Sequence, residues 1–261
     1  DTNVMADAPK LLLAKTWAGQ SVVGWYLSEK LDGVRALWDG EKFVTRLGNT
    51  YNAPAWFTAG FPKAQLDGEL WMGRGRFSDV ISCVKKNVPV DAQWEQIRYL
   101  VFDVPSHQYE AFETRQIAVE AAATMSPYIE AVPQLLCESD EQFLTYMDSV
   151  IAGGGEGLMA RQAGSMYEGK RSATLLKVKR MQDAEATVYA YQAGEGKHTG
   201  RLGALMCRFD NGVEFKIGTG FSDAQRENPP AIGSIVTVRY QELSKDGVPR
   251  FPAFVAARDY E

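Results

Sequence analysis

Glu29-Lys30-Leu31-Asp32-Gly33-Val34-Arg35 is the stretch on which the reading of this chain turns. Its fixed positions, K-x-D-G-x-R, arise by chance in a sequence of this length only about two times in a thousand. A hairpin turn at Asp32-Gly33 with charged flanks accounts for the shape alone. The chemistry goes further: a lysine near other cations can lose its proton and become a nucleophile, and Arg35 can bind an anion. Outward from the motif, 34–38 and 42–46 read as strands about a two-residue turn at Asp39-Gly40. That register sets Trp38 opposite Glu41, Arg35 opposite Val44 and Gly33 opposite Arg46, so Arg35 and Arg46 share a face as diagonal neighbours. Two guanidiniums close to Lys30 make either a phosphate site or a solvated cationic strand face.

Further along, Asp67-Gly68-Glu69-Leu70-Trp71 puts two carboxylates on one face of a strand. They suit metal binding or hydroxyl recognition, and an exposed strand face has the same pattern. Residues 97–104 read as a buried strand that ends in Phe102-Asp103, with Phe102 either core or a base-stacking platform. Helices are expected over 109–125 and 140–153, the second capped by Ser139 and Gln142. Gly153-Gly154-Gly155-Glu156-Gly157 reads as a helix stop followed by a strand over 157–161 that opens with a carboxylate. A near match to a phosphate loop, Gly164-Ser165-Met166-Tyr167-Glu168-Gly169-Lys170, has Arg171 where the hydroxyl ligand belongs and is set aside. In the strand over 174–180, Lys177 and Lys179 point to one side with Leu176 and Val178 behind. Residues 161–180 hold six basic residues and one acidic residue, and the anionic partner is expected to bind there.

Composition bounds these readings. Of 261 residues, 45% are hydrophobic and 23% charged, which is ordinary globular usage and excludes disordered and fibrous classes. A net charge of −5 argues against a protein coated in basic charge. Two histidines and three scattered cysteines, Cys83, Cys137 and Cys207, leave no zinc spacing and no disulfide framework. No apolar run approaches the roughly 18–20 residues of a membrane span, and no membrane association is expected. The chain begins at Asp1 rather than Met, which is expected of a processed product.

After Met181 the texture changes to short strands, at 186–191, 205–210, 213–217, 234–240 and 254–257, with a hairpin signal at Asn211-Gly212. About five short strands in 75–80 residues suggest a small barrel of the OB type. The expected organisation is an α+β domain at 1–182, antiparallel sheets with flanking helices, followed by an all-β OB-fold domain at 183–261.

The order of the segments is itself informative. K-x-D-G-x-R, then Thr45-Arg46-Leu47-Gly48, then D-G-E, F-D, E-G-L-M and L-L-K-V-K is similar to the motif series of the covalent nucleotidyltransferases. Over nearly its whole length the chain resembles ATP-dependent DNA ligases, nearest to the minimal two-domain bacterial enzymes expected in the periplasm, with the cytoplasm as the alternative. The ending Gly247-Val248-Pro249-Arg250-Phe251-Pro252-Ala253-Phe254 and the opening Pro9-Lys10-Leu11-Leu12-Leu13-Ala14-Lys15 carry the same likeness. The last motif departs from it: Arg258-Asp259-Tyr260-Glu261 stands where many relatives have Arg-x-Asp-Lys.

This resemblance implies that Lys30 attacks the α-phosphate of ATP to give a lysyl-AMP, with Lys177 and Lys179 on that phosphate. It implies Phe102 and Met159 on the two faces of adenine, and Arg35 and Glu69 at the ribose. Glu156, with Glu69, is expected to hold Mg²⁺. Arg46 is expected to grip the 5′-phosphate of nicked double-stranded DNA, with Lys85, Lys86, Arg161 and Arg171 as further DNA contacts. The second domain is expected to close over the duplex, and the protein to act as a monomer. An RNA ligase or mRNA-capping guanylyltransferase of the same superfamily is the alternative enzyme. A non-catalytic nucleic-acid-binding protein is the alternative of another class, although it would have no need of Lys30.

Overall fold

The structure, a computed structural model, describes residues 8–258. Asp259, Tyr260 and Glu261 of the chain-end series lie outside the described residues. Two compact units divide the chain, 1–178 and 179–261.

The first unit carries two sheets. Strands β1 (Leu13–Thr16), β2 (Tyr26–Glu29), β9 (Leu135–Leu136), β10 (Gly157–Arg161) and β11 (Arg171–Lys179) form one, in the order β1-β11-β10-β2-β9. Strands β3 (Val34–Trp38), β4 (Phe43–Val44), β5 (Thr50–Tyr51), β6 (Leu66–Trp71), β7 (Arg98–Asp103) and β8 (Ile129–Ala131) form the other, in the order β5-β4-β3-β6-β7-β8. The central pairs β10–β2, β3–β6 and β6–β7 are antiparallel. Parallel pairs occur at the edges, β1 with β11 and β7 with β8. The unbroken apolar run of β7 suits a strand covered on both faces, and Tyr99, Leu100 and Val101 are all buried. Phe102 alone in its second half stays partly open.

The hairpin after the lysine motif differs from expectation. Trp38 pairs with Phe43 and Leu37 with Val44, so the turn is four residues long and the register moves by two. Asp39 causes this: its Oδ1 accepts from the N–H groups of Glu41 and Lys42, at 2.9 and 2.8 Å, which folds the side chain into the turn. A two-residue shift preserves faces. It nevertheless leaves β4 only two residues long, and Arg46 falls in the following turn, closed by Thr45 and Gly48, rather than on a strand.

Helices α1 (Ala55–Thr58), α2 (Phe77–Val84), α3 (Asp91–Trp94), α4 (Phe112–Ala123) and α5 (Asp140–Ala152) complete this unit. The first three carry no strong sequence signal and are held by tertiary packing. Phe57, Val80, Cys83, Val84 and Trp94 enter one core with Trp38, Phe43 and Tyr99 of the second sheet. On α5, Ser139 accepts from the Gln142 N–H at 3.0 Å, while the Gln142 side chain reaches back to Glu138.

In the second unit, β12 (Gln182–Ala193), β13 (Leu202–Arg208), β14 (Glu214–Ile217), β15 (Ile235–Tyr240) and β16 (Ala253–Arg258) form an antiparallel sheet in the order β14-β13-β12-β15-β16, with a short α6 (Asp223–Glu227). β12 is twice as long as 186–191 because it pairs with β13 along one part and β15 along the other. Val188, Leu205, Cys207, Ile217, Val236 and Val238 form its core. Among the described residues no helix is long and apolar enough to cross a membrane.

Candidate active site

The first unit folds around a cavity of about 460 Å³ whose walls include Lys30, Arg35, Glu69, Phe102, Glu156, Met159 and Lys177. Pairing of β2 with β10 explains the central contact. The Lys30 N–H bonds the Gly157 carbonyl at 2.9 Å, which sets the lysine beside the start of β10. Its Nζ then lies 3.1 Å from Oε2 of Glu156, the residue before that strand, with both side chains part-exposed. Lys177 comes from β11, the next strand of the sheet. Lys179, two residues on, begins the second unit and stands outside this lining.

Gly33 of the motif is required by packing. An added Cβ would lie 2.2 Å from the Leu70 carbonyl oxygen of β6, so only glycine lets the loop after Lys30 cross that strand. The Gly33 N–H donates to Glu69 Oε2 at 3.2 Å. Asp32 also lines the cavity, with its carboxylate held by the Trp71 indole and the Gly75 N–H, from which it accepts.

Asp67 and Glu69 part company despite their common face. Asp67 is fully buried and takes a bidentate pair from Arg35, Nε to Oδ1 at 3.0 Å and Nη2 to Oδ2 at 2.6 Å. The Tyr167 hydroxyl donates to the same Oδ2 at 2.6 Å and accepts from the Leu12 N–H. Asp67 is therefore consumed in holding Arg35, whose guanidinium lies 5.2 Å over the Phe102 ring. Glu69 remains in the cavity wall. Burial pushes its carboxyl up to about 7, against the Gly33 N–H, Arg35 and Lys30, which pull it down.

The raised value of Glu69 sets a testable sign. The folded protein keeps a proton that the unfolded chain has released, so this group's stabilisation is complete below its ordinary value and is lost as pH rises through about 7. Glutamine cannot titrate. Urea unfolding of Glu69→Gln should therefore show the variant gaining on wild type between about pH 5 and about pH 8. Parallel pH profiles would remove the raised carboxyl from the account.

Arg74, which the motifs did not single out, ties two edges of the site together. It grips Glu29, the neighbour of Lys30, through Nε and Nη2, and donates from Nη1 to the Gly153 carbonyl at 3.1 Å. A Cβ on Gly153 would lie 2.1 Å from that Nη1. The glycine run thus ends α5 and makes room for a guanidinium.

Arg161 is a correction. Placed by sequence among DNA contacts, it is buried in the cavity wall, pairs with Asp103 at 2.8 Å and covers Phe112. Its position in the central strand β10 turns it inward, into the cavity wall. Asp103 also takes fully buried Arg115 at 2.7 Å, and Arg115 donates onward to the carbonyls of Glu110 and Ser165. The basic stretch 161–180 is therefore no single face: Lys170 pairs with Glu168, and exposed Arg171 donates to the Ala14 carbonyl. Arg46, Lys85 and Lys86 do converge, lining a second cleft of about 560 Å³. Exposed Phe77, at the start of α2, lines both cavities.

Comparison with known proteins follows the same division. Residues 20–179 match the family described as ATP dependent DNA ligase domain, and residues 193–258 the DNA ligase OB-like domain. A DNA ligase of Haemophilus influenzae is 39% identical over 246 residues, covering 94% of this chain and 90% of the relative. A solved structure from a structure-function study of Lig E DNA ligases, concerned with DNA binding by a minimal scaffold, has 39% identity and a TM-score of 0.62, covering 97% of this chain and 100% of that one. Chlorella virus DNA ligase-adenylate has 26% identity and a TM-score of 0.56, covering 97% and 99%.

Proposed function

This chain belongs to the ATP-dependent DNA ligases, and from that premise we propose that it seals nicks in duplex DNA as a monomer, through an AMP carried on Lys30. The observation that carries the reading is the meeting of Lys30, Glu156 and Lys177 in one cavity with Phe102 and Met159. In the first step Lys30 Nζ loses one proton to free its lone pair and bonds to the α-phosphorus of ATP, pyrophosphate leaves with the electron pair of the bond it held, and Nζ sheds a second proton. Glu156 is placed to take that proton. Lys177 offsets the charge that builds on the α-phosphate oxygens. Phe102 and Met159 offer an aromatic and a thioether surface to the two faces of adenine. Arg35, locked by Asp67, and Glu69 offer hydrogen bonds to the ribose.

The donor set also fits Mg²⁺. That ion is usually held by one or two carboxylates together with substrate phosphates, and part-exposed Glu156 suits the role. Glu69, with its raised carboxyl, is the poorer of the two ligands. Among the described residues no group of three or more His, Cys, Asp or Glu side chains would hold a metal without the nucleotide. When bound, Mg²⁺ supplies charge neutralisation at the phosphates.

In the second step an oxygen of the nick's 5′-phosphate attacks the AMP phosphorus and Lys30 leaves. In the third the 3′-hydroxyl attacks that 5′-phosphate and AMP leaves. The cleft of Arg46, Lys85 and Lys86 is the place where the strand's phosphates would lie, while Arg171 is a more distant candidate. Labelling with α-³²P ATP followed by denaturing electrophoresis tests the first step, and sealing of a nicked duplex tests the whole. Arg46→Ala should leave self-labelling within about twofold of wild type and slow nick sealing by about tenfold to a hundredfold, as expected for one charge-assisted phosphate contact. Loss of self-labelling with normal sealing of a pre-adenylated nick would place Arg46 at the nucleotide instead.

A further inference from the structure

The wall of the nucleotide cavity holds a polar atom with nothing to bind. Gln134 precedes β9 and lines the cavity, and its Oε1 is buried without a hydrogen-bond partner among the described residues. Buried polar atoms are almost always paired, so one left open in a binding cavity points to a ligand group.

Strand register places this oxygen. Met159 lies opposite Ser28 across β10 and β2. On the other side of β2, Leu27 pairs with Leu135 and Tyr26 with Leu136, which continues to Ser28 opposite Gln134. Residues directly opposite share a sheet face, so Met159, Ser28 and Gln134 form a row, and all three line the cavity. Lys30 belongs to the adjacent row, about 7 Å further along the strand at two residues' rise. A nucleotide with its α-phosphate at Lys30 therefore lays its sugar and base towards the row that ends in Gln134. Arg161 lies opposite Tyr26, beyond Met159 on the same face, and its Nε and Nη1 are also buried and unpaired. One open acceptor and two open donors complement an aminopurine, whose exocyclic amine donates and whose ring nitrogens accept.

We propose that Gln134 is a specificity-determining residue of the nucleotide pocket, its Oε1 accepting a hydrogen bond from the 6-amino group of adenine. Guanine carries a carbonyl at that position, so Gln134 would have to turn its amide over and offer Nε2 in place of Oε1, and the amine-free purine, which neither donates nor accepts there, is the cleaner probe of this contact. A site built to bond a substrate group rejects the analogue that lacks it. The inference rests on ATP as the donor to Lys30 and adds the residue that reads the base.

The test compares self-labelling of full-length wild type and Gln134→Leu with ATP and with purine riboside triphosphate, which carries hydrogen in place of the amine. Deleting the amine should raise the half-saturating concentration for wild type about tenfold with the maximal rate little changed. Gln134→Leu should need about tenfold more ATP and lose nothing further on the amine-free nucleotide. Gln134→Glu, which keeps an acceptor oxygen, should retain the preference for the amine. An equal loss in wild type and Gln134→Leu would overturn the proposal, because the amine would then be held by a different acceptor. No preference in wild type would overturn it as well. Failure of wild type to label with ATP at all would instead sink the ligase mechanism proposed above.

Discussion

Lys30→Ala should carry no label after incubation with α-³²P ATP, with self-adenylation lowered by about 10⁴-fold or more, as for other enzymes stripped of a covalent nucleophile. Lys30 is held at the end of β2 by its own N–H on Gly157 and by Nζ on Glu156, so its amine is fixed relative to the cavity. Lys177, the other lysine in the lining, enters from β11 and is the natural substitute if this assignment is wrong. Lys30→Arg sharpens the test, because it keeps a cation near Glu156 and removes the nucleophile. Both variants should still join a nick that already carries AMP on its 5′-phosphate, since that step needs no protein–AMP bond. Label surviving on Lys30→Ala, mapped to Lys177 by peptide analysis, would relocate the chemistry.

Asp103→Ala should cost about 3–5 kcal/mol of folding stability, the range for removing one partner from a buried ion pair. Asp103 has no exposed side-chain surface and balances two guanidiniums, Arg115 with none and Arg161 with 5%. Burial raises its carboxyl, but Arg161 and Arg115 outweigh this and hold it below the ordinary carboxylate value. Without it, two cations remain inside with like-charge repulsion between them. The sign with pH follows: a lowered folded value means that the stabilisation is complete above the unfolded carboxylate value and is lost as pH falls through the folded one. Urea unfolding should therefore show the wild-type advantage in full near neutrality and a shrinking one only in strong acid. A variant within about 1 kcal/mol of wild type at neutral pH would mean that the triad is worth no more than a surface pair.

That the cavity side chains would meet was more legible than what supports them. Lys30, Glu156, Lys177, Phe102 and Met159 were readable because each sits in a local pattern tied to its chemistry, and the cavity gathers them. The strand over 157–161 was readable for the same local reason. The hairpin register was not, because the turn length depends on whether Asp39 bonds the backbone, which a two-residue turn signal does not encode. Arg161 was misread since basic residues counted along a chain say nothing about which way a central strand turns them. Arg74 and Gln134 had no motif at all. Each acts on partners 45 to 106 residues away in sequence, Arg74 on Glu29 and Gln134 beside Ser28, so only the folded chain brings their meaning together.

Gly33 separates two things that the K-x-D-G-x-R motif says at once. In the mechanism proposed above the lysine answers to a reaction, whereas the glycine answers to the place where one backbone passes another too closely for a methyl group. Descendants of this scaffold that abandoned phosphoryl chemistry would be free to change Lys30 and still be obliged to keep Gly33. In a survey of divergent sequences the glycine is then a marker of shared architecture, the lysine a marker of retained activity.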